Sequence, residues 1–161
     1  MRRSRRRMVL VGCWAALLSL ASCGPTAREW SWSYTAPGIT ASGTLLTERT
    51  PDSAGFYRIL AIRGNRNGEV ITGLHPTGQA IPGNEPWALD NLISTTPGRQ
   101  LTTHGFGFAL AGGSYVNPFF AANRPQPVYI EVFSAPPLVP DAKNMGPEDA
   151  ERPVTFTARI E

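Results

Sequence analysis

Lysine is nearly missing from this chain: Lys143 is the only one among 161 residues. Cysteine occurs only at positions 13 and 23, and histidine only at 75 and 104. These scarcities exclude whole classes of protein. Past residue 23 there is no thiol, so the chain has neither a disulfide framework nor a cysteine-built zinc site. The two histidines are too far apart in sequence for a His-x₃-His metal pair. The longest apolar run, Met8 to Ser22, has 15 residues. As a helix it would reach about 22 Å at roughly 1.5 Å per residue, short of a hydrocarbon core about 30 Å thick. Acids are absent from the first 22 residues, which hold five arginines: Arg2, Arg3, Arg5, Arg6 and Arg7. Without them, ten basic side chains face twelve acidic ones, a formal net charge of −2. The remaining domain therefore lacks the basic stripe that nucleic acid requires, and no nucleic-acid partner is expected.

The arginines and the apolar run have the layout of a bacterial secretory signal. The run ends in Leu20-Ala21-Ser22-Cys23, which resembles the bacterial lipoprotein box. That resemblance implies a diacylglycerol on the Cys23 thiol, cleavage before Cys23 and acylation of the new amine. Two or three acyl chains anchor a protein stably where one does not. Gly24, rather than Asp, follows the cysteine, which in that family points to the outer membrane where the host has one. Ordinary cleavage after Ala21, or an uncleaved anchor, are the competing readings. Ser4-Arg5-Arg6-Arg7-Met8-Val9 also resembles the twin-arginine export motif. The expected layout is a signal over 1–22, a lipidated N-terminus and tether over 23–29, and one β domain over 30–161.

All 15 prolines and 15 of the 16 glycines lie in that exported part, where they punctuate short segments of period-2 alternation. Trp30, Trp32 and Tyr34 alternate with small polar residues. Ile39, Ala41, Gly43 and Leu45 share a face. Phe56 to Arg63 is apolar on both faces, which predicts deep burial. An Asn67-Gly68 turn leads into Glu69 to Leu74, so residues 56–74 read as a β-hairpin. His75 to Trp87 is loop, and Ala88 to Ser94 is ambiguous between strand and loop. Phe106, Phe108 and Leu110 alternate with Gly107 and Ala109, and Gly105, Gly107, Gly112 and Gly113 are expected to leave space for aromatic neighbours across the sheet. Ser114 to Asn117, Val128 to Phe133 and Val154 to Ile160 follow. Residues 135–153, rich in proline and acid, read as a long excursion. About eight strands and no amphipathic helix predict an all-β fold, an antiparallel two-sheet sandwich or flattened barrel.

Candidate chemistry is sparse. Ser94 or Ser114 with His104 and Asp90 could be drawn as a triad, but no Gly-x-Ser-x-Gly elbow supports it. Glu69, Glu85, Asp90 and Glu131 could supply paired carboxylates if two met across a cleft. Glu131 interrupts an apolar strand and reads as lying on the solvent face of an edge. Asn65, Asn67 and Glu69, or Asp90 with Asn91, offer oxygens for calcium, though turn chemistry accounts for them better. Aromatic faces suit sugar rings. Trp87, with Asp90 and Asn91, is therefore the candidate ligand-binding group, with Trp30 and Trp32 as a second platform. The alternation around Trp30 and Trp32 points instead to the core. No cofactor and no metal are implied.

The middle of the chain runs Tyr57-Arg-Ile-Leu-Ala-Ile-Arg-Gly64, then Asn67-Gly68-Glu-Val-Ile71-Thr72-Gly73-Leu74. A Pro/Gly loop, Asp90-Asn91-Leu92-Ile93, Gly105-Phe106-Gly-Phe108 and Gly112-Gly113-Ser-Tyr115-Val116-Asn117 follow. This order resembles a group of bacterial secreted β-proteins that often end in a PEP-CTERM sorting tail, over residues 35–134 and 154–160. The resemblance implies an exported, surface- or matrix-associated protein and supplies no catalytic residues. The chain departs from the group in stopping at Arg159-Ile160-Glu161 without that tail, and a lipid on Cys23 would take the place of the C-terminal anchor. The expected function is a non-enzymatic interaction or matrix module of the envelope, with a membrane, an envelope protein or a polysaccharide as partner. Glycan binding on the same scaffold is the first alternative and a carboxylate-dependent hydrolase the second.

Overall fold

A computed structural model describes residues 27–138 and 150–161. The proposed signal, Cys23 and most of the proline-rich excursion lie outside them. Nine strands form: β1 (Ala27–Ala36), β2 (Ile39–Glu48), β3 (Phe56–Arg66), β4 (Glu69–Leu74), β5 (Leu92–Ser94), β6 (Phe108–Leu110), β7 (Tyr115–Ala121), β8 (Val128–Ser134) and β9 (Ala150–Ile160). All pair antiparallel, in the order β2-β1-β9-β8-β7-β6-β4-β3-β5. A further β2–β3 ladder closes eight of them into a barrel and leaves β5 as an extra strand on β3. The all-β, flattened-barrel expectation is met.

Closure disposes of sheet edges and defines two mouths. The β1–β2, β3–β4 and β6–β7 turns gather at one. Asn67 and Gly68 hold the left-handed conformations that the tight β3–β4 turn requires (φ 49° and 84°). At the other mouth both described chain ends meet, where the Glu161 N–H donates to the Glu29 carbonyl at 3.0 Å. Residues 75–107 fold back over that mouth and drive Ile93, Leu101 and Phe106 into the core. Gln100 completes the cover by bonding both backbone groups of Ala158 through its side-chain amide.

Eight strands leave an interior just wide enough for side chains to fill, and aromatics fill it. Trp30, Trp32 and Tyr34 point inward from β1 and meet Phe106, Phe108 and Phe156. Trp32 stands edge-on to Phe106 with ring centroids 5.8 Å apart, and Phe106 meets Phe156 at 6.2 Å. The Trp30 indole N–H donates to Thr47 Oγ1 at 3.0 Å, while that of Trp32 is buried without a partner.

Several expectations need correction. The tether ends earlier than residue 29, because Ala27 to Glu29 already pair with Leu46 to Glu48. The excursion ends before residue 153, since Glu151 to Pro153 pair with β8. Phe56 to Arg63 is not deeply buried: Leu60 is 49% exposed. A register shift at Leu46/Thr47 turns Ile59 and Ile62 inward together, and this break in alternation explains the mixed sequence pattern. Gly105 makes room for an aromatic residue, Phe119, as expected, whereas Gly107 makes room for aliphatic ones, Leu89 and Ile81 lying where its Cβ would be.

The largest correction concerns Glu131. It is fully buried and points into the barrel near the turn-bearing mouth. Its carboxylate accepts from Arg66 Nη2 at 2.6 Å, Arg66 Nε at 2.9 Å and the Tyr34 hydroxyl at 2.5 Å. The Arg66 guanidinium also lies 4.1 Å over the Phe133 ring. Burial, reinforced by the Glu131 carboxylate, pushes the Tyr34 phenol well above its ordinary value. For Arg66, burial acts downward, but the bonded and charged Glu131 carboxylate raises its pKa on balance. The sequence reading failed because β8 is apolar on both faces. Tyr129, Glu131 and Phe133 face inward, while Ile130 and Val132 face outward and are also buried.

Candidate functional site

That outward face is covered because the loop after β4 packs on it. Ile81 and Leu89 form a second, small core with Val132, flanked by Tyr115 and Phe119. Beside this core a groove of about 440 Å³ opens on the outside of the barrel. Phe119, Ala121 and Val132 supply its apolar part, and Asn117 lies among them. Asn84, Trp87, Thr103 and His104 line it from the covering excursion. Asn123, Arg124 and Glu151 line it from the β7–β8 turn and β9. Its volume lies within the ~300–1,000 Å³ range of small-molecule sites.

Local hydrogen bonds hold the lining in place. The Trp87 N–H donates to the Asn84 carbonyl, and the Asn84 N–H to the Ile81 carbonyl, each at 3.0 Å. This short turn, pinned by buried Ile81 and Leu89, carries Trp87 with 62% of its surface exposed. Asn117 Nδ2 donates to the carbonyls of His104, Phe106 and Pro118 and so ties the excursion to β7. His104 Nδ1 lies 2.9 Å from the Ala88 carbonyl. A carbonyl oxygen only accepts, so the neutral ring carries its proton on Nδ1 and leaves Nε2 as an acceptor. Arg124 Nη2 pairs with Glu151 Oε2 at 2.5 Å, each side chain about half exposed, and links the β7–β8 turn to β9.

The sequence-derived candidates separate cleanly. Trp87 lines the groove. Trp30 and Trp32 are buried in the barrel and offer no face to a solute. Asn91 is fully buried with a φ of 52° and acts as a clamp, not a ligand. Its Nδ2 donates to the His75 carbonyl and Thr77 Oγ1, and its Oδ1 accepts from the Gly107 N–H. Asp90 is not among the residues that line the groove, and it accepts from the Leu92 N–H at 3.3 Å. Burial raises its pKa, against smaller opposing effects from the Thr102 side chain, the Leu92 N–H and His104.

The other constellations are dispersed. Ser94 Oγ donates to the Arg99 carbonyl, and Ser114 stands at the mouth opposite the excursion that carries His104. Glu69 accepts from the Gly112 N–H at the turn-bearing mouth, Glu85 from the Gly83 N–H in the excursion, and Glu131 lies inside the barrel. Asn67 is spent on Thr40 and Gly38. Among the described residues, no three His, Cys, Asp or Glu side chains converge as a metal site. Sequence reasoning missed Asn84, Asn117, Asn123, Arg124 and Glu151, which come from four separate segments. A usable signal was present only at Trp87, a large aromatic in a Pro/Gly loop. The chain matches no family model, no curated protein and no solved structure.

Proposed function

We propose that this chain is a non-enzymatic binding module of the bacterial envelope, held at a membrane by lipid on Cys23, with the β7–β8 groove as its binding site. The exposed Trp87 carries the reading. Among the described residues it is the most exposed large hydrophobic side chain, and it stands on a braced loop at a groove. A protein gains nothing in folding from holding an indole in water, whereas a ligand gains a rigid apolar face.

Thermal unfolding of the full chain with separate sets of oligosaccharides, peptides and divalent cations tests this. A ligand at 100 times its Kd adds about 2.7 kcal/mol, a rise of several degrees for a domain of this size. One set is expected to give that rise, and Thr103→Arg with Asn123→Arg, both at exposed lining positions, is expected to abolish it. A rise that survives the double substitution, or no rise with any set, overturns the proposal.

A further inference from the structure

Resting on that reading, we infer that the groove takes a neutral saccharide, with one pyranose ring stacked on Trp87. Three observations converge on this ligand class.

The first is shape and apolarity. The exposed Trp87 and the part-buried Phe119 supply apolar surface suited to the C–H faces of a sugar ring, over a floor that includes Ala121 and Val132, each only 2% exposed.

The second is the polar rim. Asn84, Thr103 and His104 place amide, hydroxyl and imidazole groups around that surface. In the neutral ring His104 Nε2 is left as an acceptor by the bond that Nδ1 makes to Ala88. A sugar hydroxyl both donates and accepts, so a mixed rim of this kind satisfies it.

The third is charge. Arg124 and Glu151 are the charged side chains of the lining, and they pair with each other at 2.5 Å. A phosphate or uronate would need an uncompensated cation, and a polyamine an uncompensated carboxylate. The groove offers a guanidinium and a carboxylate side by side with no net charge. Adjacent hydroxyls on a neutral ring can accept from the one and donate to the other.

The test uses the purified full chain with cellobiose, maltose and diacetylchitobiose as neutral probes. Digalacturonate and a proline-rich peptide serve as the contrasting ones. Binding is followed by iodide quenching of tryptophan fluorescence in a Trp14→Phe background, where the quenched signal reports Trp87 because Trp30 and Trp32 are buried. At least one neutral disaccharide is expected to protect Trp87 from iodide. Trp87→Ala should weaken that disaccharide at least tenfold, measured by calorimetry, while Trp87→Phe stays within about threefold, since an aromatic face remains. Glu151→Gln, which leaves Arg124 uncompensated, should weaken the neutral probe and let digalacturonate bind. If digalacturonate or the peptide binds the native groove while neutral sugars do not, the saccharide class is overturned and the binding module stands. If no probe binds, both fall.

Discussion

Replacing Glu131 by leucine tests whether the barrel depends on its internal ion pair. The substitution keeps an apolar side chain of similar bulk but removes the carboxylate that accepts from Arg66 and Tyr34. Arg66, whose side chain is only 10% exposed, is then left without its counter-ion. Breaking a buried pair from one side costs about 3–5 kcal/mol. That is a large part of the ~5–15 kcal/mol that holds a domain together. The same principle sets a different expectation for removing the whole network. Tyr34→Phe, Arg66→Met and Glu131→Leu together leave no orphaned polar group, and the triple variant should lie within about 2 kcal/mol of the native protein. Urea unfolding followed by circular dichroism measures both, with the slope of the transition showing whether the unfolded surface has changed. A single Glu131→Leu variant that loses less than about 1 kcal/mol behaves like an exposed pair and refutes the burial argument. A triple variant as damaged as the single one refutes the electrostatic account and leaves packing as the cause.

Tyr34→Phe should cost about 1.5–3 kcal/mol near neutral pH, as expected for a hydrogen bond to a charged acceptor. Because the folded phenol titrates above its unfolded value near 10.0, its contribution is complete below that pH and is lost as pH rises beyond it. The native and Tyr34→Phe stabilities should therefore converge in alkaline urea titrations, and parallel curves would contradict the assignment. Asp90 also has a raised pKa in the folded state, so its contribution is full below about 3.8 and is lost as pH rises through the folded value. Asp90→Asn, which removes the ionisation, should raise Tm at pH 7 and give no gain at pH 3. Gly43→Ala should destabilise the barrel by about 1–3 kcal/mol, because the added methyl meets the Arg63 carbonyl and Gly64 Cα on β3. Gly107→Ala should displace the Ile81–Leu89 cover and abolish groove binding, with near-UV spectra of the barrel aromatics retained.

The strands were legible wherever one face meets the core and the other meets water. Trp30-Ser-Trp32-Ser-Tyr34 names its inward residues by alternation alone, and so does Phe106-Gly-Phe108-Ala-Leu110, where Gly107, though covered by Leu89 and Ile81, adds no side chain to blur the pattern. The Asn67-Gly68 turn was legible because few residues adopt its backbone angles. Reading failed where a third layer covers the sheet. On β8, Ile130 and Val132 face outward yet are buried, so apolar residues occupy both faces and the pattern no longer says which is inside. Glu131 was misplaced for that reason. The closing β2–β3 ladder had no sequence signature, because closure is a property of summed twist and register rather than of any one segment. The groove was legible only at Trp87, since its other walls come from residues brought together by tertiary packing. Asn91 misled because a buried Asn clamping three backbone and side-chain groups reads, in sequence, like a polar residue free to bind a ligand.

The position of β9 bears on how the chain reaches this shape. The last strand lies between the first and β8, pairing Trp30 with Ile160 and Tyr129 with Val154. A chain that emerges N-terminus first, as in synthesis, cannot close this barrel until β9 has emerged. Until then β1 and β8 are open edges, able to pair with any neighbouring chain. The two contacts that seal the barrel are also very unequal in loop length, β8 being a short step from β9 and β1 most of the chain away, so the second is slow to form. The C-terminal strand thus acts as the latch of the molecule. The period of greatest exposure to aggregation is set by how long that latch takes to arrive.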